Sequence, residues 1–307
     1  MKPHLKNILV PVDFNEPSSI AVKYAVDIAR KFEGRVCLLY VIEAKGIIEE
    51  FLQSGNELVK LTEHAKIKLE RMASEIKSSE NIEVETRIER GKIYRKILET
   101  GKEIDARFII LGENHPHSEE NQTLGTTVFQ VTTKSTVPVV TVKGTKTSFG
   151  SKFVVPLDLT KQTQKQLIAA IAYGRNYNAE MHLVSAKIAN IRMRSSLIQR
   201  KLRNARKTLF ENGVNGSCKL YEYSSDIPPY KRVLEYAAEI QADAILVLTH
   251  QEGYTYDNYI GAFAHHLINE SPIPVISLTS NAVTFKMENF LMPILDPVGF
   301  LFKNEKK

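Results

Sequence analysis

The chain has no tryptophan and only two cysteines, Cys37 and Cys218, among its 307 residues. Two cysteines cannot build a disulfide framework. Each stands in a short apolar run, which reads as a buried free thiol and fits a reducing compartment such as the cytoplasm. No stretch approaches the roughly 18 uninterrupted apolar residues of a membrane helix, so no span is expected. Met1–Lys6 runs straight into an apolar strand and lacks the apolar core of a signal peptide. Familiar chemical motifs are missing too. Gly144–Ser151 has no Gly-Lys-Ser/Thr ending of a P-loop. There is no Gly-x-Ser-x-Gly elbow and no His-Glu-x-x-His pair.

What remains is ordinary globular material, 43% hydrophobic and 25% charged. The length suits two domains of about 150 residues better than one core. The net charge of +6 is a local effect. Arg192, Arg194, Arg200, Lys201, Arg203, Arg206 and Lys207 fall in one stretch with no acid among them, and the rest of the chain is close to neutral.

One pattern is written twice. Lys6–Asp13 (KNILVPVD) and Ser151–Asp158 (SKFVVPLD) are apolar strands ending in Pro-x-Asp. Helical spacing follows each: Ile20, Ala21, Tyr24, Ala25, Ile28 and Ala29 in the first copy, Leu167, Ala170, Ile171 and Gly174 in the second. Buried strands are expected at Arg35–Ile42 and Glu180–Ala186. Amphipathic helices are expected over Glu57–Lys77 and Ile191–Asn212, then strands at Ile82–Arg87 and Ser217–Glu222. Helices at Ile93–Lys102 and Tyr230–Glu239 lead to central strands at Phe108–Leu111 and Ala244–Leu248. Each copy closes with a helix and a strand containing Val137–Val139 or Ile273–Val275.

Such alternation implies right-handed βαβ crossovers and a parallel sheet covered on both faces. The expected fold is α/β: two tandem, doubly wound, five-stranded domains of strand order 3-2-1-4-5. They span 1–146 and 151–280, joined by the polar stretch Gly144–Gly150, with an extension over 281–307.

The opening Val10–Ser18 (VPVDFNEPS) resembles the N-terminal signature of the universal stress protein family. The family's second signature is Gly, two residues, Gly, nine residues, then Gly and Ser or Thr. Gly112–Thr126 (GENHPHSEENQTLGT) resembles it through Gly112, Gly125 and Thr126, with His115 where the family has its middle Gly. The resemblance implies an adenine nucleotide, ATP or AMP, perhaps with Mg²⁺, in the first domain. By resemblance Asp13 and the backbone of Val41 hold the adenine, Gly112 lies by the ribose, and Gly125, Thr126 and Thr127 meet the phosphates. The chemistry agrees, because a helix N-terminus offers free N–H groups to phosphate and sits at the switch point of the sheet. His115, followed by Pro116, either crowds that loop or contacts phosphate as His⁺.

The second copy keeps Asp158 but has Leu248 and Gln251 in place of the first two glycines, and Ala262 after Gly261. Tyr254, Tyr256 and Tyr259 crowd its loop, so no nucleotide is expected there. A metal set of Glu113, His115, His117 and Glu119 matches no strong zinc spacing, and no metal site is assigned. His265 and His266 are adjacent on a helix and face different ways. The basic stretch 192–207 reads as an amphipathic helix with a solvated outer face. Contact with nucleic acid, anionic lipid or an acidic protein is the alternative, and nucleic acid is disfavoured because the stretch lacks the aromatic interleaving of nucleic-acid readers. The apolar tail, Phe285 to Phe302, is expected to pack on the tandem pair or on a second chain through a homodimer; last strands are the other expected dimer surface.

The leading expectation is a cytoplasmic nucleotide-linked stress or signalling protein. Two alternatives stay open: a nucleotide-independent interaction module, and a slow ATP hydrolase. No catalytic residue is assigned, since no general base or carboxylate cluster beyond Asp13 stands out.

Overall fold

Apolar, β-branched Lys6–Pro11 forms β1, and its Ile8, Leu9 and Val10 are fully buried. The computed structural model describes residues 6–43, 55–113, 125–144, 148–159, 163–186, 195–222, 226–249 and 261–279, without the side chains of 6, 55–57 and 195. The chain divides into two compact units, the first running to Phe149 and the second beginning at Gly150.

In the first unit β1 pairs in parallel with β2 (Gly34–Glu43) from Lys6↔Gly34 to Pro11↔Leu39. On its other side it meets β4 (Phe108–Gly112) at Ile8↔Phe108 and Leu9↔Ile109. β3 (Val84–Gly91) flanks β2, and β5 (Val139–Val142) flanks β4, both in parallel. The order is therefore β3-β2-β1-β4-β5. Crossovers run through α1 (Glu16–Phe32), α2 (Gly55–Glu80), α3 (Ile93–Glu103) and α4 (Thr126–Lys134). Helices α1 and α2 pack together, and α3 packs on α4, as right-handed crossovers to the two faces require.

The second unit repeats the pairing. Its β6 (Lys152–Pro156) lies between β7 (Glu180–Ala186) and β9 (Ala244–Leu248), with β8 (Cys218–Tyr221) beside β7 and β10 (Val275–Leu278) beside β9, all parallel. Its helices are α5 (Gln164–Tyr177), α6 (Ser195–Glu211), α7 (Pro229–Glu239) and α8 (Ala262–Glu270).

Three details differ from expectation. The closing strands contain neither Pro138 nor Pro274; they start one residue later, at Val139 and Val275. Proline has no N–H to give a ladder, and here Pro138 contributes only its carbonyl, which accepts from Ile109 N at 3.0 Å. Cys37 is buried, and burial pushes its thiol up to about 12, so it is inert at neutral pH. Cys218 is only half-buried.

The third detail concerns the stretch assigned to a linker. Phe149 is 1% exposed and belongs to the first unit's core. Its ring sits 5.7 Å from Phe32, 6.1 Å from Tyr24 and 6.3 Å from Phe108. Its N–H donates to Asp27 Oδ2 at 2.7 Å, and its carbonyl accepts from Lys31 Nζ. Asp27 also holds Lys31 at 2.8 Å and Arg30 at 2.7 Å. Gly150 next enters the second unit, where Asp243 Oδ2 accepts from Ser151 N at 2.9 Å and Lys152 N at 3.0 Å. A Cβ on Gly150 would stand 1.9 Å from the Asp243 carboxyl carbon, so only glycine fits.

Burial by itself would raise the Asp27 carboxyl. The hydrogen bonds from Lys31, Arg30 and the Phe149 N–H outweigh it and hold the group below its ordinary 3.8. A depressed carboxyl contributes stability that is fully present above the ordinary value and is lost as pH falls through the folded-state value. Asp27→Ala leaves the buried Phe149 N–H without its acceptor and is expected to cost about 2 kcal/mol at neutral pH. Urea unfolding of the two proteins at pH 7 and again near pH 3 should show that difference shrinking at the lower pH.

Candidate functional site

The order of strand addition reverses between β1 and β4, since β1 leads outward to β2 and β3 while β4 leads the other way to β5. A doubly wound sheet opens a crevice at that point, beyond the carboxyl ends of its strands. A cavity of about 510 Å³ lies there. Its walls are the end of β1 (Pro11, Val12, Asp13), the start of α1 (Asn15, Pro17, Ser18) and the end of β2 (Leu39, Tyr40, Val41, Glu43). Ile93 and Ile97 of α3, the end of β4 (Leu111, Gly112, Glu113) and the start of α4 (Gly125, Thr126, Thr127, Val128) complete it. Six residues singled out from the sequence, Asp13, Val41, Gly112, Gly125, Thr126 and Thr127, thus line one cavity. The seventh, His115, lies outside the described residues, as do His117 and Glu119.

Asp13 is exposed and held by a local turn. Its Oδ1 accepts from Asn15 N at 3.0 Å and its Oδ2 from Asn15 Nδ2 at 3.2 Å. Asn15 therefore gives its side chain to Asp13 and makes no side-chain cap on α1. Between them Phe14 has φ 66°, a left-handed conformation that costs a bulky residue on the order of 1–3 kcal/mol. Two contacts offset this: the Phe14 ring stacks on Tyr40 at 5.1 Å, and Lys68 Nζ lies 5.0 Å from its centroid. Tyr40 comes from β2, one residue before Val41.

Gly112 serves the packing of this unit directly. A Cβ there would stand 2.0 Å from the Pro17 carbonyl oxygen and 2.8 Å from Ser18 N. Only glycine lets the first turn of α1 come this close to the end of β4. Gly125 is the N-cap of α4, and Thr126 and Thr127 are its first two helical residues.

One residue matters that the sequence reading weighed only as part of a metal set. Glu113 follows β4 directly, and its Oε1 accepts from Gly125 N at 3.2 Å. A carboxylate thus sits against the N-terminus of α4, where N–H groups and the helix dipole favour negative charge. Burial pushes the Glu113 carboxyl up from its ordinary range, while the Gly125 N–H and the Lys143 ammonium pull it down. The signal available in sequence was a Glu placed one residue beyond a central strand whose partner helix offers free N–H groups.

The second unit keeps Asp158 and the N-cap Gly261 but departs at the end of its fourth strand. Buried Leu248 stands where Gly112 does. Thr249 follows it, and its backbone carbonyl, rather than its side chain, accepts from Gly261 N at 2.9 Å. The Thr249 hydroxyl turns to Leu278 O at 3.3 Å and is buried. Tyr254, Tyr256 and Tyr259 lie outside the described residues. On α6, Ile198, Leu202, Ala205 and Leu209 are buried while Arg200, Lys201, Arg203, Arg206 and Lys207 face solvent. Arg192 and Arg194 are outside the described residues.

A line of polar groups in this unit has the outline of a nucleophile and base. Ser217 Oγ lies 2.8 Å from His182 Nδ1, and His182 Nε2 lies 3.1 Å from Glu180 Oε2. Ser217 N also donates to His182 Nδ1 at 3.3 Å, and Tyr236 OH lies 2.5 Å from Ser217 Oγ. These groups gather at the amino ends of β7 and β8, opposite the end where such sheets take ligands. They satisfy one another beneath α7. His266 stacks on Tyr230 at 4.5 Å and reaches Glu270 at 3.0 Å. Among the described residues no cluster of three His, Cys, Asp or Glu could hold a metal, and no helix is long and apolar enough to cross a membrane.

The close approach at Gly112 yields a test. Gly112→Ala forces the start of α1 away from β4 and is expected to cost about 3 kcal/mol, near the upper end for overpacking. A drop of several degrees in the thermal midpoint would register it, whereas Gly125→Ala, whose Cβ would meet the Glu113 carboxylate at 3.2 Å, should cost less.

The family model described as the universal stress protein family matches residues 4–143, nearly the whole of the first unit. Two universal stress proteins of Methanocaldococcus jannaschii are similar in sequence. One is 28% identical over 153 residues, covering 46% of this chain and 84% of the relative. The other is 30% identical over 157 residues, covering 45% of this chain and 94% of the relative. Among solved structures, a universal stress protein from Archaeoglobus fulgidus matches 89% of this chain and 98% of its own with a TM-score of 0.70 at 20% identity. A functionally unknown protein from Pseudomonas aeruginosa matches 91% and 94% with a TM-score of 0.61 at 17% identity. At such identities these two structures speak for the fold alone. With the family model matching the unit that carries the cavity, and a 30% identical relative matched over 94% of its length, the chain belongs to the universal stress protein family.

Proposed function

We propose that the cavity of the first unit binds an adenine nucleotide and that the protein acts through this binding in a stress or signalling response. The observation that carries this reading is the convergence of Asp13, Val41, Gly112, Gly125, Thr126 and Thr127 on one cavity of about 510 Å³. That volume falls within the range of roughly 300–1,000 Å³ usual for small-molecule sites. Asp13 and the backbone of Val41 would take the polar edge of the base. Val41 and Ile93, which line the cavity and are only half-buried, offer apolar surface for its faces. Thr126 and Thr127 offer hydroxyls at the start of α4.

Binding rather than turnover suits these residues. The Asp13 carboxylate is engaged with Asn15, and no histidine or lysine appears among the described residues of the wall to serve as a base. The second unit would not bind nucleotide, because Leu248 fills the place of Gly112 and Ala262 lacks the hydroxyl of Thr126.

Isothermal titration of the full chain, freed of bound nucleotide, with AMP and with ATP plus Mg²⁺ tests the reading. One site per chain is expected, weakened at least about tenfold by Asp13→Ala, which removes a polar contact worth on the order of 1.4 kcal/mol. Absence of heat with both ligands, together with no displacement of a fluorescent adenosine analogue, would reject it.

A further inference from the structure

We propose that Glu113 is the residue that sets the charge class of the ligand: the cavity of the first unit favours adenosine and AMP over ADP and ATP. This rests on the reading of that cavity as an adenine site. The Glu113 carboxylate accepts from Gly125 N at 3.2 Å, so the group best placed to receive phosphate at the start of α4 already has an anion of the protein's own. The other described lining residues supply no cation. The described lining residues carry three carboxylates, Asp13, Glu43 and Glu113, and no Lys, Arg or His. Each phosphate charge added beside α4 therefore meets a like charge at close range in a half-buried setting, where opposition is weakly screened. The nucleoside portion, held toward Asp13 and Val41, is spared.

The second unit shows that the fold does not need a charge in this place. There the equivalent N–H, of Gly261, is taken by the neutral carbonyl of Thr249 at 2.9 Å. Glu113 is therefore not required as a cap. A glutamine would keep the accepting oxygen and remove only the charge. The Lys143 ammonium acts on Glu113 and shares in its balance, so Lys143 stays unaltered in the test.

Affinities of the full chain for adenosine, AMP and ATP, each with Mg²⁺, are to be measured for the wild type and for Glu113→Gln by titration and by competition with a fluorescent adenosine analogue. The wild type is expected to bind adenosine and AMP about tenfold or more tighter than ATP, the scale of one like-charge opposition. Glu113→Gln is expected to shift the ATP-to-adenosine ratio about tenfold toward ATP. If adenosine binds but the wild type prefers ATP, or if Glu113→Gln leaves the ratio unchanged, the inference is overturned while the adenine reading stands. If neither protein binds adenosine, AMP or ATP, the adenine reading falls and this inference with it. Matching circular dichroism and thermal midpoints for the two proteins keep a folding defect from imitating either result.

Discussion

The approach of the first turn of α1 to the backbone of Gly112 is the constraint on which the first unit's cavity depends. A side chain there would overlap the Pro17 carbonyl, so the ends of β1 and β4 could not be bridged by the start of α1 at this distance. That placement brings Pro17 and Ser18 to the floor of the cavity and aims the turn at Asp13 over the end of β2. Once the turn is there, its own strain is accommodated. Phe14 takes up a left-handed backbone, and the Tyr40 ring and Lys68 ammonium hold its side chain. Glycine at this position is thus required by the protein's own packing, whatever the cavity holds.

The two units make the same sheet from different side chains, and the differences gather at one end. Parallel pairing, crossover sequence and buried strands recur throughout. At the carboxyl end of the fourth strand they diverge, Gly112 and Glu113 in one unit against Leu248 and Thr249 in the other. In both units the residue after that strand takes the first free N–H of the last helix, once through a side chain and once through the backbone. The fold fixes the hydrogen bond, and the sequence decides whether it carries a charge.

Element order was legible in the amino-acid sequence because apolar periodicity reports burial, and a parallel sheet buries nearly all of its central strands. The cavity was legible through Asp13, Gly112 and Gly125, which stand at the ends of elements whose order fixes their meeting point. Less could be read where a contact spans distant positions. Composition marks Gly144–Gly150 as polar, yet Phe149 is drawn into the core by Asp27, a residue more than a hundred positions earlier. The closing strands begin after Pro138 and Pro274 because pairing, rather than apolar content, sets a strand's limits. Glu113 could be seen as an acid in a polar loop; that it faces the start of α4 follows only from the crossover.

The neutral bond between Gly261 and Thr249 has a bearing on how the two units can differ. A helix whose leading amide depends on a ligand is least satisfied when empty, so its folding and its occupancy are linked through mass action. In both units the chain completes its own helix at this amide, but in the second it does so through backbone alone, with no side chain required. Such a half can accumulate changes around its crevice without forfeiting its architecture. Autonomy of folding is thus a route by which one copy becomes free to take up a different task.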